Sequence, residues 1–387
     1  MPRATRVVAL VLTIGILGLL GGSRVEAYPQ LQLTTSASRC TICHYAPAGG
    51  GLINNYGRSE AADTISMGGN GGFLHGLWTP PPWLSLGGQF RFAGLINNTN
   101  SREGTELAAF PMQFDLLGRV ELGPLSLYVN GGFRGVARRE QSLGDYYTSS
   151  DTYVSREHYL MWRAGATGPY VRAGRFFAPY GLRLAEHPAW VRRFLGFNTL
   201  EETYNVSGGF VNDVWELHLT AFTRDFFRPV GHRGSGGAAY YERRFGTRLA
   251  LGAEARVAVA GDQSTRAQGG LVGKWVLPGT RIMLLAQADL VNESFDAEGS
   301  PSRWQMAGYL GASWLFRRGF LGQLMLERWD EDLDVSGVAR SAVGAELQFF
   351  PTAHVELSLY GRAAFIGTGT DDGSPSQLLM LQLHYYL

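Results

Sequence analysis

The chain has 387 residues, of which 45% are hydrophobic, 12% aromatic and 17% charged, and its formal net charge is +1. This apolar content excludes a disordered chain, and the balanced charge excludes a nucleic-acid binder driven by electrostatic attraction. The one long apolar run, residues 7–22, is shorter than the roughly 20 residues of a membrane-spanning helix, which argues against a helical membrane protein. With 52 glycines, the composition favours an exported β-rich protein.

The N-terminus has the three parts of a secretory signal peptide. Arg3 and Arg6 precede the apolar run, and a small-residue site ends at Ala27. We therefore predict a signal peptide over residues 1–27, with the mature chain starting at Tyr28. The alternative is an uncleaved anchor helix, for which the apolar run is short.

Both cysteines of the chain lie in one motif, C-x-x-C-H, formed by Cys40, Cys43 and His44. Two thiols at this spacing add to the two vinyl groups of haem, and the adjacent histidine supplies an axial nitrogen to the iron. The alternatives are a disulfide, a thioredoxin-like pair or half a zinc site. A zinc site needs further Cys or His at matching spacing, and a thioredoxin-like pair needs a βαβ context. We predict one covalent haem c.

The residues after the motif carry a resemblance to a known class. Pro47 follows His44, and the chain continues through three glycines to Leu52 and then to Tyr56-Gly57-Arg58. This stretch resembles the single-haem segments of some proteobacterial outer-membrane proteins. The resemblance implies a haem-binding segment over residues 28–79. Because an even number of barrel strands leaves both barrel termini in the periplasm, this segment is expected to start there and to lie below or inside the barrel.

The sixth coordination position of the iron has two candidates downstream. His75 lies in an apolar stretch that would shield one face of the haem, and Met67 is the alternative. The position is also compatible with an open site. A His/His pair would give a lower reduction potential than a His/Met pair, because thioether sulfur raises the potential.

From residue 80 onwards the sequence has the pattern of a transmembrane β-barrel. In residues 249–259 every odd position is apolar, whereas Glu254 and Arg256 stand on the other face, as expected of a strand. A soluble sandwich would alternate too. Charges on the polar face and aromatics near strand ends, such as Trp162, Trp275 and Trp314, favour a membrane barrel with a wet lumen. We predict an all-β antiparallel barrel of about sixteen strands over residues 80–387.

The predicted connections alternate between tight turns and long loops. Seven turns are predicted near 123–124, 168–169, 212–213, 246–247, 278–279, 318–319 and 351–352. Eight loops are predicted near 97–106, 138–151, 178–202, 226–236, 261–265, 293–302, 330–337 and 367–375. In such barrels the tight turns face the periplasm, which places both barrel termini there. The terminal strand resembles the sorting signal of outer-membrane proteins, with Leu387 in place of the usual phenylalanine.

The loop at residues 178–202 follows the fifth predicted strand. In sixteen-stranded porins, this loop commonly folds inward and narrows the pore. That resemblance implies a constriction lined by Arg183, Arg192 and Arg193, opposite carboxylates such as Glu186. The alternative is a solvated loop on the outer surface.

The combination predicts electron transfer between the periplasm and the outer membrane or cell exterior. A haem at the periplasmic side would accept electrons from a periplasmic carrier or another cytochrome, and the lipid bilayer would surround the barrel. The alternative is a solute porin whose haem segment is a plug, gate or sensor. A peroxidase-like enzyme would need an open iron position, and no residue is singled out as its acid or base. Porin-like barrels are often homo-oligomers, so one is expected here by analogy.

Overall fold

A computed structural model describes residues 39–98, 105–133, 153–186, 188–198, 201–224, 234–260, 264–295, 302–367 and 375–387. The predicted signal peptide, residues 1–27, lies outside the described residues. The same holds for residues 28–38 of the predicted haem segment and for the whole of the predicted loop at residues 138–151.

The described chain contains seventeen strand segments. Their sequences alternate between apolar or small residues and polar residues, a pattern that favours the extended backbone of a strand. They are β1 (Leu84–Asn98), β2 (Thr105–Leu122), β3 (Leu125–Phe133), β4 (Tyr153–Val154), β5 (His158–Arg163), β6 (Gly168–Phe176), β7 (Thr203–Val211), β8 (Trp215–Thr223), β9 (Ser235–Phe245), β10 (Leu249–Val259), β11 (Ser264–Val276), β12 (Ile282–Phe295), β13 (Arg303–Arg317), β14 (Phe320–Asp330), β15 (Arg340–Thr352), β16 (Val355–Ile366) and β17 (Ser376–Tyr386).

The strands form one closed antiparallel barrel. Each pairs with its neighbours in chain order, and β1 pairs with both β2 and β17, which closes the sheet. The segments β4 and β5 both pair with β3 and are separated by residues 155–157, so together they form one strand of the wall. The barrel therefore has sixteen strands, as the sequence predicts. Closure leaves no unpaired edge, which a membrane barrel requires.

The connections confirm the predicted alternation in most places. Two turns lie beside their predicted positions: Gly168 begins β6 after a turn at residues 164–167, and Pro351 lies in β15 before a turn at residues 353–354. A register shift between Phe349 and Thr352 accommodates this proline within the strand. The connection at residues 260–263 is as short as a turn, so the alternation is not strict there. We call the two ends of the barrel the tight-turn end and the long-loop end.

The two faces of the wall have opposite polarity. In β10, the side chain of Leu251 is 50% exposed on the outer face, whereas Glu254 is only 6% exposed on the inner face. The outer surfaces of the other strands likewise carry exposed leucine, valine and aromatic side chains. A soluble protein would bury such side chains, so this belt is the kind of surface that a lipid bilayer covers.

Aromatic side chains mark the tight-turn end of the belt. Trp162, Trp275 and Trp314 each lie in the last residues of a strand that runs into a tight turn, and each is exposed. Trp83 precedes β1 at the same end and is exposed as well. Tryptophan prefers the interface between hydrocarbon and headgroups, so this arrangement indicates where one membrane surface would lie.

The residues before β1 form short helices. They comprise a 3-10 helix at Cys40–Ile42, the α-helix α1 (Asn55–Glu60), a π-helix at Ala61–Ile65 and a kinked turn at Phe73–Gly76. A second α-helix, α2 (Trp190–Arg193), lies between β6 and β7. Within the described ranges, no helix combines the length and apolar character needed to span a membrane.

Residues 39–79, here called the plug segment, pack inside the barrel wall near the tight-turn end through their first part, whereas later side chains such as Met67 and Leu77 are exposed. On one side Leu52 packs in a buried cluster with Tyr128 of β3. On the other side Ile65 packs with Phe350 of β15. The plug segment therefore bridges two well-separated parts of the barrel wall and occupies the lumen between them.

Candidate functional site

The C-x-x-C-H motif forms a single tight turn. The backbone N–H groups of Cys43 and His44 both donate to the carbonyl oxygen of Cys40, over 3.2 and 2.9 Å. Cys43 is buried, Cys40 is half-buried, and the two are not joined by a disulfide. The turn thus places two thiols and one imidazole in a single short stretch, which is the donor set that covalent haem attachment requires.

Helix α1 holds this turn in place. The Asn54 side chain caps the helix by accepting from the Gly57 N–H over 2.9 Å, and it donates to the Ile42 carbonyl over 2.8 Å. Its backbone N–H also donates to the Cys43 carbonyl, over 2.8 Å. A Cβ atom at Gly57 would lie 2.6 Å from that same carbonyl oxygen. Only glycine allows this close packing of α1 against the motif.

The three consecutive glycines shape the chain beside the cysteines. Gly49, Gly50 and Gly51 all have positive φ, at 79°, 78° and 62°, a region that other residues rarely adopt. A Cβ atom at Gly49 would lie 3.2 Å from the Cys40 Sγ atom, and nothing lies within 4 Å of one at Gly50. Glycine at position 49 therefore lets the chain pass close to Cys40, and open space lies beside Gly50.

His44 lines a cavity inside the barrel, whereas Cys40 and Cys43 lie outside its lining. Its volume is about 310 Å³, which is in the size range of ligand pockets. His44 and the three glycines line one part of it. The loop between β6 and β7 (residues 177–202, the inward loop) and the wall of the barrel supply the rest. Lining residues from these two parts include Gln89, Arg91, Gln113, Arg172, Phe177, Tyr180, Arg183, Arg192, Phe197 and His384.

The inward loop fills part of the lumen above the plug segment. Leu182, Trp190 and Leu195 are buried in a cluster with side chains of the opposite wall, including Tyr309 and Trp329. The Trp190 N–H donates to the Glu327 carboxylate over 2.5 Å. The apolar side chains of the inward loop are thus buried against the opposite wall of the barrel.

The residues predicted to line a constriction are only partly brought together. Arg183 and Arg192 line the cavity, whereas Glu186 and Arg193 do not. Arg183 donates to the Ala48 carbonyl of the plug segment and lies 3.4 Å from the carboxylate of Glu216.

The predicted constriction residues also differ in their hydrogen bonding and exposure. Arg192 donates to the backbone carbonyls of Leu184, Ala185 and Phe197, and burial lowers its pKa to about 10. Burial raises the pKa of Glu186, which accepts from Gln323 over 3.1 Å. Arg193 is exposed on the loop. Arg192 therefore stabilises the inward loop through hydrogen bonds to its own backbone, whereas Arg183 bonds the loop to the plug segment.

The predicted sixth ligands lie elsewhere. His75 is exposed, its Nε2 atom lies 2.8 Å from the Tyr385 hydroxyl, and its ring packs 4.5 Å from the ring of His354. Met67 is exposed beside Gly319, and its N–H donates to the Phe350 carbonyl. Neither residue lines the cavity that His44 lines. The structure does not bring either of them to His44, because the chain after Ile65 turns away from the cavity toward the tight turns.

Sequence reasoning missed three polar wall residues of the cavity, Arg91, Arg172 and His384. All three lie on strands with their side chains toward the lumen. The period of two indicates which face of a strand they occupy, but it does not indicate at what height in the barrel they meet. That height depends on the register between strands that are distant in sequence.

No protein-family model and no curated protein matches the chain. Among solved structures it is similar to the outer-membrane channel DcaP of Acinetobacter baumannii, with a TM-score of 0.56 and 12% identity over 79% of this chain and 97% of that chain. It is also similar to an anion-selective porin from Comamonas acidovorans, with a TM-score of 0.61 and 11% identity over 79% and 99%. OprB of Pseudomonas putida is similar as well, with a TM-score of 0.56 and 10% identity over 79% of this chain and 94% of that chain. This chain thus has the fold of outer-membrane porins and channels.

Proposed function

We propose that this porin-like barrel carries a covalent haem c in its lumen and transfers electrons between the periplasm and the outer membrane or cell exterior. Cys40 and Cys43 would attach the group and His44 would supply an axial nitrogen. The observation that carries the proposal is that His44 of this C-x-x-C-H turn lines an internal cavity. When bound, haem c supplies a reversible one-electron carrier.

The residues around the cavity fit this group chemically. The two cysteines are not joined in a disulfide, and open space lies beside Gly50 in the same turn region. Haem carries two propionate carboxylates, which need cationic partners in a buried site. Arg91 and Arg172 line the cavity, and Arg172 is only 4% exposed. Among the described residues, no carboxylate lies within ion-pair distance of either arginine.

The location of the plug segment supports a periplasmic electron source. In outer-membrane barrels the tight turns face the periplasm, so the plug segment would face a periplasmic carrier or another cytochrome. One haem is much shorter than the ~30 Å hydrocarbon core. A second redox partner, or a substrate that enters from the long-loop end, would complete the route across the membrane.

The test is the colour of the purified full-length protein. Covalent haem should remain with the chain on a denaturing gel and should give a reduced-minus-oxidised spectrum. Cys40→Ala together with Cys43→Ala should abolish the stain, whereas Ser126→Ala on the barrel wall should not. A colourless wild-type protein that is folded by heat-modifiable gel migration would refute the proposal.

The second candidate is a solute channel that the plug segment closes or gates. The likeness to solved porins and channels favours this function over the first, since those proteins are described as channels. The cavity arginines would then bind anionic solutes during passage. Ion conductance in planar bilayers should rise when residues 39–79 are deleted. If conductance rises and the intact protein carries no haem, the channel function replaces the first proposal.

The oligomeric state is a further part of the proposal. One similar structure is described as a trimer form of OmpT of Vibrio cholerae, with a TM-score of 0.53 and 12% identity over 79% of this chain and 99% of that chain. A homo-oligomer would be detected by cross-linking in native membranes, before detergent is added.

A further inference from the structure

His384 lies on β17, the strand that closes the barrel against β1. Its side chain is only 4% exposed and lines the same cavity as His44. The two histidines come from different parts of the molecule: His44 belongs to the plug segment and His384 to the barrel wall. The cavity is therefore lined by one imidazole from the plug segment and one from the barrel wall.

The hydrogen bonding of His384 leaves one nitrogen available to a ligand. Its Nδ1 atom lies 2.9 Å from the Oε2 atom of Glu356. A carboxylate accepts, so Nδ1 carries the hydrogen and, in the neutral ring, Nε2 has a lone pair. The Nε2 atom is buried and has no hydrogen-bond partner in the described part of the protein. A buried acceptor without a partner is costly, so a ligand bonded to Nε2 would remove that cost.

This pairing is the usual arrangement around a metal-binding histidine. A ligating imidazole generally donates its other N–H to a carboxylate or a carbonyl, which fixes the tautomer and the orientation of the ring. Glu356 and His384 are directly paired across β16 and β17, and His384 is directly paired with Arg91 of β1. The ring is thus held by a hydrogen bond within a rigid wall. His75 differs, because it is exposed and its Nε2 atom is engaged by Tyr385.

We infer that His384 would supply the second imidazole nitrogen to the haem iron that His44 would hold. The inference rests on the proposed haem c function and names a residue that the sequence does not single out. It replaces His75 and Met67 as the candidate for this position. Glu356 acts as a positioning residue, since it touches the imidazole and not the iron. The iron would then have two histidine ligands and a lower potential than a His/Met centre.

The spectrum of the reduced, full-length protein tests the inference. The wild type should be low-spin. His384→Ala should become high-spin while the covalent stain is kept, and added imidazole should restore the low-spin spectrum. His384→Met should raise the midpoint potential. The matched controls are His75→Ala and Met67→Ala, which should leave the spectrum unchanged.

A stained, folded His384→Ala protein that stays low-spin would overturn the inference, and so would a high-spin spectrum in either control. A wild type without covalent haem would instead refute the proposed function itself, and the gel stain distinguishes that case. If His384→Ala does not fold, near-infrared magnetic circular dichroism of the unaltered protein decides. A His/His charge-transfer band supports the assignment, and a His/Met band or a high-spin spectrum overturns it.

Discussion

The Nε2 atom of His354 lies 2.9 Å from the backbone carbonyl oxygen of Asn70. His354 belongs to the tight turn between β15 and β16, and Asn70 belongs to the plug segment. The Nδ1 atom of the same ring lies 2.6 Å from the carbonyl oxygen of Tyr386 at the end of β17. One side chain thus connects the plug segment to the strand that closes the barrel.

We expect His354→Ala to loosen the plug segment. The substitution removes both contacts. Both partners are carbonyl oxygens, so the neutral ring donates to one of them at a time, and a hydrogen bond of this kind contributes about 1 kcal/mol. Limited proteolysis of the intact barrel should therefore cleave residues 39–79 faster in the variant. Glu331→Ala, an exposed change at the long-loop end, is the control. Equal cleavage rates in wild type and variant would show that His354 does not hold the segment.

Gly57→Ala should disrupt the packing of α1 against the cysteine motif. The added methyl group would lie 2.6 Å from the backbone oxygen of Cys43, which is too close for any pair of atoms of this kind. Overpacking of this type costs about 1–3 kcal/mol. Thermal unfolding of the plug segment, followed by its protease sensitivity, should shift to lower temperature. Gly68→Ala is the matched control, because nothing lies within 4 Å of a Cβ there. Similar shifts in both variants would contradict the packing argument.

Glu327→Leu should destabilise the inward loop. The Glu327 carboxylate accepts from the Trp190 N–H over 2.5 Å and from the Arg362 Nε–H over 2.9 Å, and it is buried. Removing it leaves a buried guanidinium unpaired, which costs about 3–5 kcal/mol. The temperature at which gel migration changes should fall. Glu331→Leu, which breaks an exposed pair with Arg340, should cost less than about 1 kcal/mol. A normal transition temperature for Glu327→Leu would exclude this anchoring role.

Leu324→Arg tests the membrane-facing belt. Leu324 lies in the middle of β14 and is 64% exposed on the outer face. An arginine near the middle of a bilayer destabilises a barrel by about 2–4 kcal/mol. Folding into lipid vesicles, measured by heat-modifiable migration, should fall sharply. Leu333→Arg, in the connection after β14, should fold normally. If both variants fold equally well, the outer face of β14 does not contact hydrocarbon.

The fold was largely predictable because a barrel strand depends on local sequence. The alternation in residues 249–259 predicts β10, and its apolar positions are the exposed ones. The two turns that lie beside their predicted positions occur where glycine and proline are found inside strands, at Gly168 and Pro351, because these residues end strands and also occupy their irregular ends. Local composition does not distinguish a glycine or proline that ends a strand from one that lies within its irregular end.

The candidate site was predictable only where its residues are adjacent. The sequence by itself determined that Cys40, Cys43 and His44 form one donor set, because their spacing alone places them on one turn. Only the tertiary structure decided that His384 faces the same cavity. Closure of β17 against β1 and the entry of the plug segment into the lumen bring His44 and His384 to one cavity, and no local sequence pattern indicates which inward-facing side chains meet there.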